Sequence, residues 1–364
     1  MWAECLRVLK HGGYLLSFSA TRTYHRMAVA IEDSGFEIRD MIEWVYGSGF
    51  PKSLNIGKAV DKLQGNERVF SHKNPANRPY NTSEFEGKGT ALKPAHEPIC
   101  MARKPLAEKT VAENVLKYGT GGINIDGSRV DFVSEEDKNS AKPQGNMEGV
   151  QIYKGQSQSE SKTINLGFKQ NSQGRFPANL IHDNSEEVRE CFPESKSSKF
   201  PPTNKPIFDT SNGWNKNSIE GGTGGGYEDN GNASRFFKSI IYQAKASKSE
   251  RNKGLEDFED KERVDYGGFH SEKGLIENNR NPENRLPNKN NHPTVKPVAL
   301  MEYLIKMVTP TNGIVLDPFM GSGSTGVACV LNDFEFIGID LDKDYCEIAR
   351  ARIEGVKETQ TKMF

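Results

Sequence analysis

The residues best placed for chemistry lie near the C-terminus, between Gly313 and Gly326. Ile314, Val315 and Leu316 read as a short buried strand, which breaks at Asp317 and Pro318. A run of small residues follows, Gly321, Ser322, Gly323, Ser324 and Thr325, and opens a helix through Val327, Ala328, Val330 and Leu331. A strand, a glycine turn and a helix N-terminus let a ligand approach the backbone closely. A second apolar strand, Phe334 to Ile339, ends at Asp340. An acid at that strand tip is placed to hold ribose hydroxyls. Together these features favour an adenosine-containing cofactor.

The loop lacks the Gly-Lys-Ser/Thr ending of a phosphate-cradling NTPase loop, and it is not the three-glycine dinucleotide fingerprint. Asp317 ahead of the turn suits a cofactor with positive charge. S-adenosylmethionine, with its ammonium and sulfonium, is the expected one.

The elements that position this loop make an α/β pattern. Trp2, Cys5, Leu6 and Leu9 fall on one helical face, closed by Gly12 and Gly13. Tyr14 to Phe18 predicts a strand, Tyr24 to Ser34 a helix, Phe36 to Tyr46 a strand, and Leu54 to Leu63 a short helix. Glu97 to Ala102 predicts a further strand, and Pro297 starts a helix with Leu300, Leu304, Met307 and Val308 buried. Residues 1–105 and 291–364 thus read as two parts of one core. Residues 106–290 read as a loop-rich insert, too long for an ordinary connection.

In the insert, Arg235, Lys238, Lys245, Lys248 and Arg251 surround Phe236, Phe237 and Tyr242. Cations interleaved with aromatics suit a nucleic-acid backbone and exposed bases, with a solvated basic helix as the plainer alternative. The net charge of −1 over 364 residues confines such binding to local patches. Five cysteines, widely spaced and odd in number, exclude a disulfide framework, offer no metal site and fit a reducing cytoplasm. No stretch has the length and apolarity of a membrane span.

Asn291 to Pro297, followed by Asp317 to Thr325, resembles the DNA methyltransferases that modify N6 of adenine or N4 of cytosine. The resemblance is to the permuted subgroup, in which the catalytic half precedes the cofactor half. Trp2 to Phe18 is similar to the helix and strand that follow that family's catalytic loop. It implies a Rossmann-like fold with a mostly parallel sheet, and a target-recognition role for the insert. It further implies that Asp317, Phe319, Gly321, Gly323, Ser324 and Thr325 line the cofactor site, with Asp340 on the ribose and Thr294 and Lys296 closing over the methionine part. The expected reaction is methyl transfer to a base flipped out of duplex DNA, adenine ahead of cytosine. RNA or protein methylation and a non-catalytic cofactor- or DNA-binding remnant are the alternatives.

The family's catalytic loop, a polar residue followed by two prolines and an aromatic, has no match, so the catalytic residues stay unassigned. Phe200 to Thr203, Asn77 to Tyr80 and Asp317 to Phe319 are each poor stand-ins. The strand carrying that loop would lie beside Ile314 to Leu316. The chain is therefore expected to be a fragment or half of a split enzyme, with a second polypeptide as the supplier of the strand.

Overall fold

The computed structural model describes the backbone of residues 1–47, 49, 51–69, 82–140, 147–153, 161–166, 173–196, 230–240, 248–259 and 289–361. The first part of the chain alternates as expected: α1 (Trp2–Val8), β1 (Tyr14–Phe18), α2 (Tyr24–Asp33), β2 (Glu37–Val45), α3 (Ile56–Gln64) and β3 (His96–Arg103). Helix α3 starts on Asn55, whose side chain accepts from the Lys58 N–H at 2.8 Å, and stops on the left-handed Gly65. Helix α4 (Val111–Tyr118) carries a reciprocal cap between Thr110 and Glu113.

Two short strands from the expected insert join this sheet. β4 (Leu180–His182) pairs parallel with β2, and β5 (Lys238–Ser239) pairs parallel with β4. The strand order is β1-β3-β2-β4-β5. β3 is the reversed member, antiparallel to both β1 and β2. The sheet is therefore mixed, and it continues past residue 105 into residues 180–239.

The C-terminal part contributes α6 (Val298–Val308), β6 (Ile314–Asp317), α7 (Ser324–Leu331), β7 (Glu335–Gly338) and α8 (Lys343–Thr361); the short α5 (Lys248–Asn252) precedes it. β6 and β7 form a separate parallel pair. Helix α6 joins the two sheets. Leu300, Tyr303, Leu304 and Met307 pack with Ile42, Trp44, Ile99, Met101 and Ile181 of the large sheet. Ile305 on its other side packs with Ala328 and Cys329 of α7, and with Val315 and Phe336 of the small sheet. This two-sided burial explains why α6 is apolar nearly all round.

One expectation fails here. β6 is not fully buried: Ile314 is 57% exposed, and Ile337 and Ile339 on the same face of the small sheet are each 52% exposed. A parallel pair is normally covered on both faces. The covered face packs against Ile305 of α6 and Ala328 and Cys329 of α7.

Candidate cofactor and nucleic-acid site

β1, β2, β4 and β5 point their C-terminal ends to one edge of the large sheet, where β3 begins. In open α/β sheets that edge is where ligands bind. The segment 291–297 lies against it. The Lys296 ammonium pairs with the Glu97 carboxylate at the start of β3. It sits 4.8 Å from the centre of the Phe18 ring and 5.9 Å from that of Trp44. Lys296 thus ties the C-terminal half to that edge of the large sheet, and Thr294 is exposed beside it.

The glycine loop is built by its own polar groups. The Asp317 carboxylate accepts from the Phe319 N–H at 3.0 Å and from the Thr325 hydroxyl at 2.5 Å. The Asp340 carboxylate accepts from the Gly321 N–H at 2.9 Å and from the Asp342 N–H at 3.0 Å. The two strand-end acids therefore hold the loop from both sides, and each keeps lone pairs for a ligand. Gly321 has φ +50°, and a β-carbon there would lie 2.6 Å from His292 Nε2. Gly323, at φ +78°, caps α7. Phe319 is 65% exposed and Leu341 is fully exposed, so apolar surface flanks Asp340 at the mouth of the loop.

Two residues that pack against the loop were missed by sequence reasoning. His292 leans over the loop, edge-on to Tyr345 with ring centres 4.6 Å apart. Burial lowers its pKa, partly offset by Asp340. Arg352 is 2% exposed. Its Nη1 donates to the Ser322 carbonyl at 2.5 Å and to the Ser322 and Ser324 hydroxyls at 3.2 and 3.4 Å. Burial pulls its pKa down to about 10, while the Glu250 charge favours the cation. A signal was there to read: Ile348, Arg352 and Val356 recur at helical spacing, which places the arginine on the inward face.

The basic cluster comes apart. Arg235 is buried, not displayed. It donates to the Asn232 carbonyl at 2.7 Å and to the Ser195 hydroxyl at 3.0 Å, stacks on Phe236 at 4.4 Å, and faces Asp137 at 3.6 Å. Burial alone would raise the Asp137 carboxyl. Hydrogen bonds from Arg175 and the Val133 N–H, with the charges of Arg175 and Arg235, hold it below the usual range. Arg251 is turned inward to the 290–292 turn. Lys238 is partly exposed and pairs with Asp131 at 3.1 Å. Lys245 and the side chain of Lys248 lie outside the described residues, as do residues 77–80 and 200–203.

Beside Lys238, at the C-terminal ends of β4 and β5, is a cleft of about 730 Å³. It is lined by Phe132, Asp137, His182, Arg189, Phe237 and Lys238 among others. His182 is buried and its pKa is lowered by that burial. Its Nδ1 faces the Asn184 N–H at 3.1 Å and its Nε2 faces the Ser234 carbonyl at 3.2 Å, which fits one neutral tautomer. Among the described residues no group of His, Cys, Asp and Glu could hold a metal ion, and no helix is long and apolar enough to cross a membrane.

A strand–glycine loop–helix unit with acids at two neighbouring strand tips defines a Rossmann-like α/β protein. The sequence profile of the DNA methylase family, covering N6 and N4 methyltransferases, matches residues 1–351, and the chain belongs to that family. It is similar to the type II methyltransferase M2.DpnII of Streptococcus pneumoniae, 48% identical over 68 residues, which are 19% of this chain and 25% of that protein. It is similar to M.HindIII of Haemophilus influenzae, 32% identical over 123 residues, 33% of this chain and 36% of that protein. The chain thus spans about a quarter to a third of the length of these curated relatives. Among solved structures, that of the M1.HpyAVI–SAM complex aligns over 97% of this chain and 79% of its own, at 16% identity and a TM-score of 0.35.

Proposed function

We propose that this chain takes part in methyl transfer from S-adenosylmethionine to the exocyclic amine of a base in duplex DNA, N6 of adenine ahead of N4 of cytosine. The observation that carries the reading is that the 291–297 segment links the loop to the large sheet: His292 lies over Gly321 of the loop held by Asp317 and Asp340, and Lys296 reaches Glu97 at the edge where the large sheet's strands end. The residues fit the cofactor. Asp340 would take the ribose hydroxyls, and exposed Leu341 and Ile339 offer apolar contact to the adenine. Asp317 and the loop backbone from Phe319 to Thr325 would hold the charged methionine end, with Thr294 at the rim. The bound cofactor supplies an electrophilic methyl group. The chain's part is to orient it and to keep water from it. Lys238 and the cleft beside it are the proposed path of the target strand. Arg235 and Arg251 drop out of that surface.

A second element of the proposal is that the catalytic group arrives on a strand between β1 and β6. Among the described residues β1 pairs only with β3, and β6 only with β7. The small sheet also leaves Ile314, Ile337 and Ile339 bare on one face. A strand with its connecting helix, from upstream sequence or from a second polypeptide, would satisfy both. The test is transfer of radiolabelled methyl to unmethylated DNA by this chain alone and with an in-frame upstream extension, followed by nucleoside analysis. Label only with the extension supports both elements, and N6-methyladenine fixes the base. Label with this chain alone would sink the second element. No label in either, with intact cofactor binding, would sink the first.

A further inference from the structure

Arg251, expected with Lys248 to present a cation to DNA, lies in the segment from Lys248 to Leu255. In the structure this segment is wedged among the supports of the cofactor loop. Arg251 Nη2 donates to the carbonyls of Asn290 at 3.0 Å and His292 at 2.5 Å. The Asn252 side chain accepts from the Asn290 N–H at 3.2 Å, and Asn290 Nδ2 donates back to the Arg251 carbonyl at 3.2 Å. Glu250 accepts from the Val298 N–H at 2.8 Å, at the start of α6. Leu255 is fully buried, and the Gly254 backbone crosses α8 where Gly355 leaves room for it.

Two arms run from this wedge to the loop. One is the turn gripped by Arg251, which sets the His292 ring over Gly321. The other is Arg352, reaching from α8 under Ser322 and Ser324. A buried arginine with partners on one short loop fixes that loop in the geometry the guanidinium fork demands.

We propose that Arg251 and Arg352 are positioning residues for cofactor binding, and that α5 couples the recognition segment to the cofactor loop. Neither side chain touches the cofactor. They hold the loop in the shape that receives it, which is preorganisation. By reciprocity, a ligand that orders the loop also steadies α5. The proposal rests on the reading that residues 317–325 hold S-adenosylmethionine.

The test uses the full chain and three variants, Arg251→Ala, Arg251→Lys and Arg352→Gln. Cofactor affinity is measured by titration calorimetry with S-adenosylmethionine, and DNA affinity over a range of salt. Arg251→Ala is expected to weaken cofactor binding about tenfold, within the usual span of coupling between sites. Its salt slope on DNA should match the parent. Arg251→Lys should recover part of the loss. A slope reduced by about one with unchanged cofactor affinity would make Arg251 a phosphate contact and overturn the proposal. Should Arg352→Gln fail to fold, the Arg251 pair decides. Amide exchange of residues 320–326 without ligand gives a separate readout, expected to be faster in Arg251→Ala. Unchanged exchange overturns the bracing. Absence of cofactor binding in the parent would instead sink the cofactor reading, with bracing still judged by exchange.

Discussion

Replacing Gly321 by alanine tests the packing at the mouth of the loop. The residue sits at φ +50°, where a β-carbon is strained by about 1–2 kcal/mol. The new carbon would also lie 2.6 Å from His292 Nε2 and 2.8 Å from its Cε1. The imidazole cannot simply swing away, because Tyr345 stands 4.6 Å from it and Arg251 holds the His292 carbonyl. Overpacking of this kind costs about 1–3 kcal/mol. The sum is a loss of roughly 2–5 kcal/mol, a large part of a domain's stability of about 5–15 kcal/mol. The assay is urea unfolding of Gly321→Ala, His292→Ala and the double variant. If the ring is the obstacle, removing it returns the steric part and leaves the backbone strain. The double variant should then be more stable than the sum of singles by about 1–3 kcal/mol. Strict additivity, or a Gly321→Ala variant within about 0.5 kcal/mol of the parent, would refute the reasoning.

Three other outcomes are expected. A double-mutant cycle on Lys296→Met and Glu97→Gln should give a coupling of about 1 kcal/mol that shrinks at about 1 M salt, since both side chains are partly exposed. Arg235→Ala should cost roughly 1–3 kcal/mol, measured by thermal unfolding, because the Asn232 carbonyl and the Ser195 hydroxyl lose their donor while Asp137 keeps Arg175. It should leave the salt slope of DNA binding unchanged. His292 and His182 both have pKa values lowered by burial, so below the ordinary value of 6.5 the unfolded chain binds protons that the folded chain does not. Stability should therefore fall as pH drops from 6.5 through the lowered folded values. Asparagine at either position should flatten that slope in a denaturant series run between about pH 7 and 5.

Much of the core was legible because its signals are local. The helical spacing of Trp2 to Leu9, the glycine stop after it, and the loop from Asp317 to Thr325 each depend on residues close in sequence. Leu300, Leu304 and Met307 were placed on the inner face of α6 by the same logic, and all three are buried. What was missed depends on distant partners. Arg235 reads as a surface cation until Asp137, about a hundred residues earlier, is seen beside it. β4 and β5 have three and two residues, too few for a period-2 pattern to register. Arg251 looked like part of a charge run, yet its partners are carbonyls of the 290–292 turn, which carry no side-chain signal.

The place of α6 between the two sheets has a consequence during synthesis. The apolar face formed by Leu16, Ile42, Trp44, Ile99 and Met101 is complete once residue 103 has been made. Its cover, Leu300 to Met307, is translated about two hundred residues later. At roughly 5–20 residues per second, that face waits about 10–40 s on the ribosome without its partner. A nascent chain in that state is a natural client for chaperones that shield apolar surface. Pausing translation between β3 and α6 should raise the yield of aggregate more than a pause placed after α8.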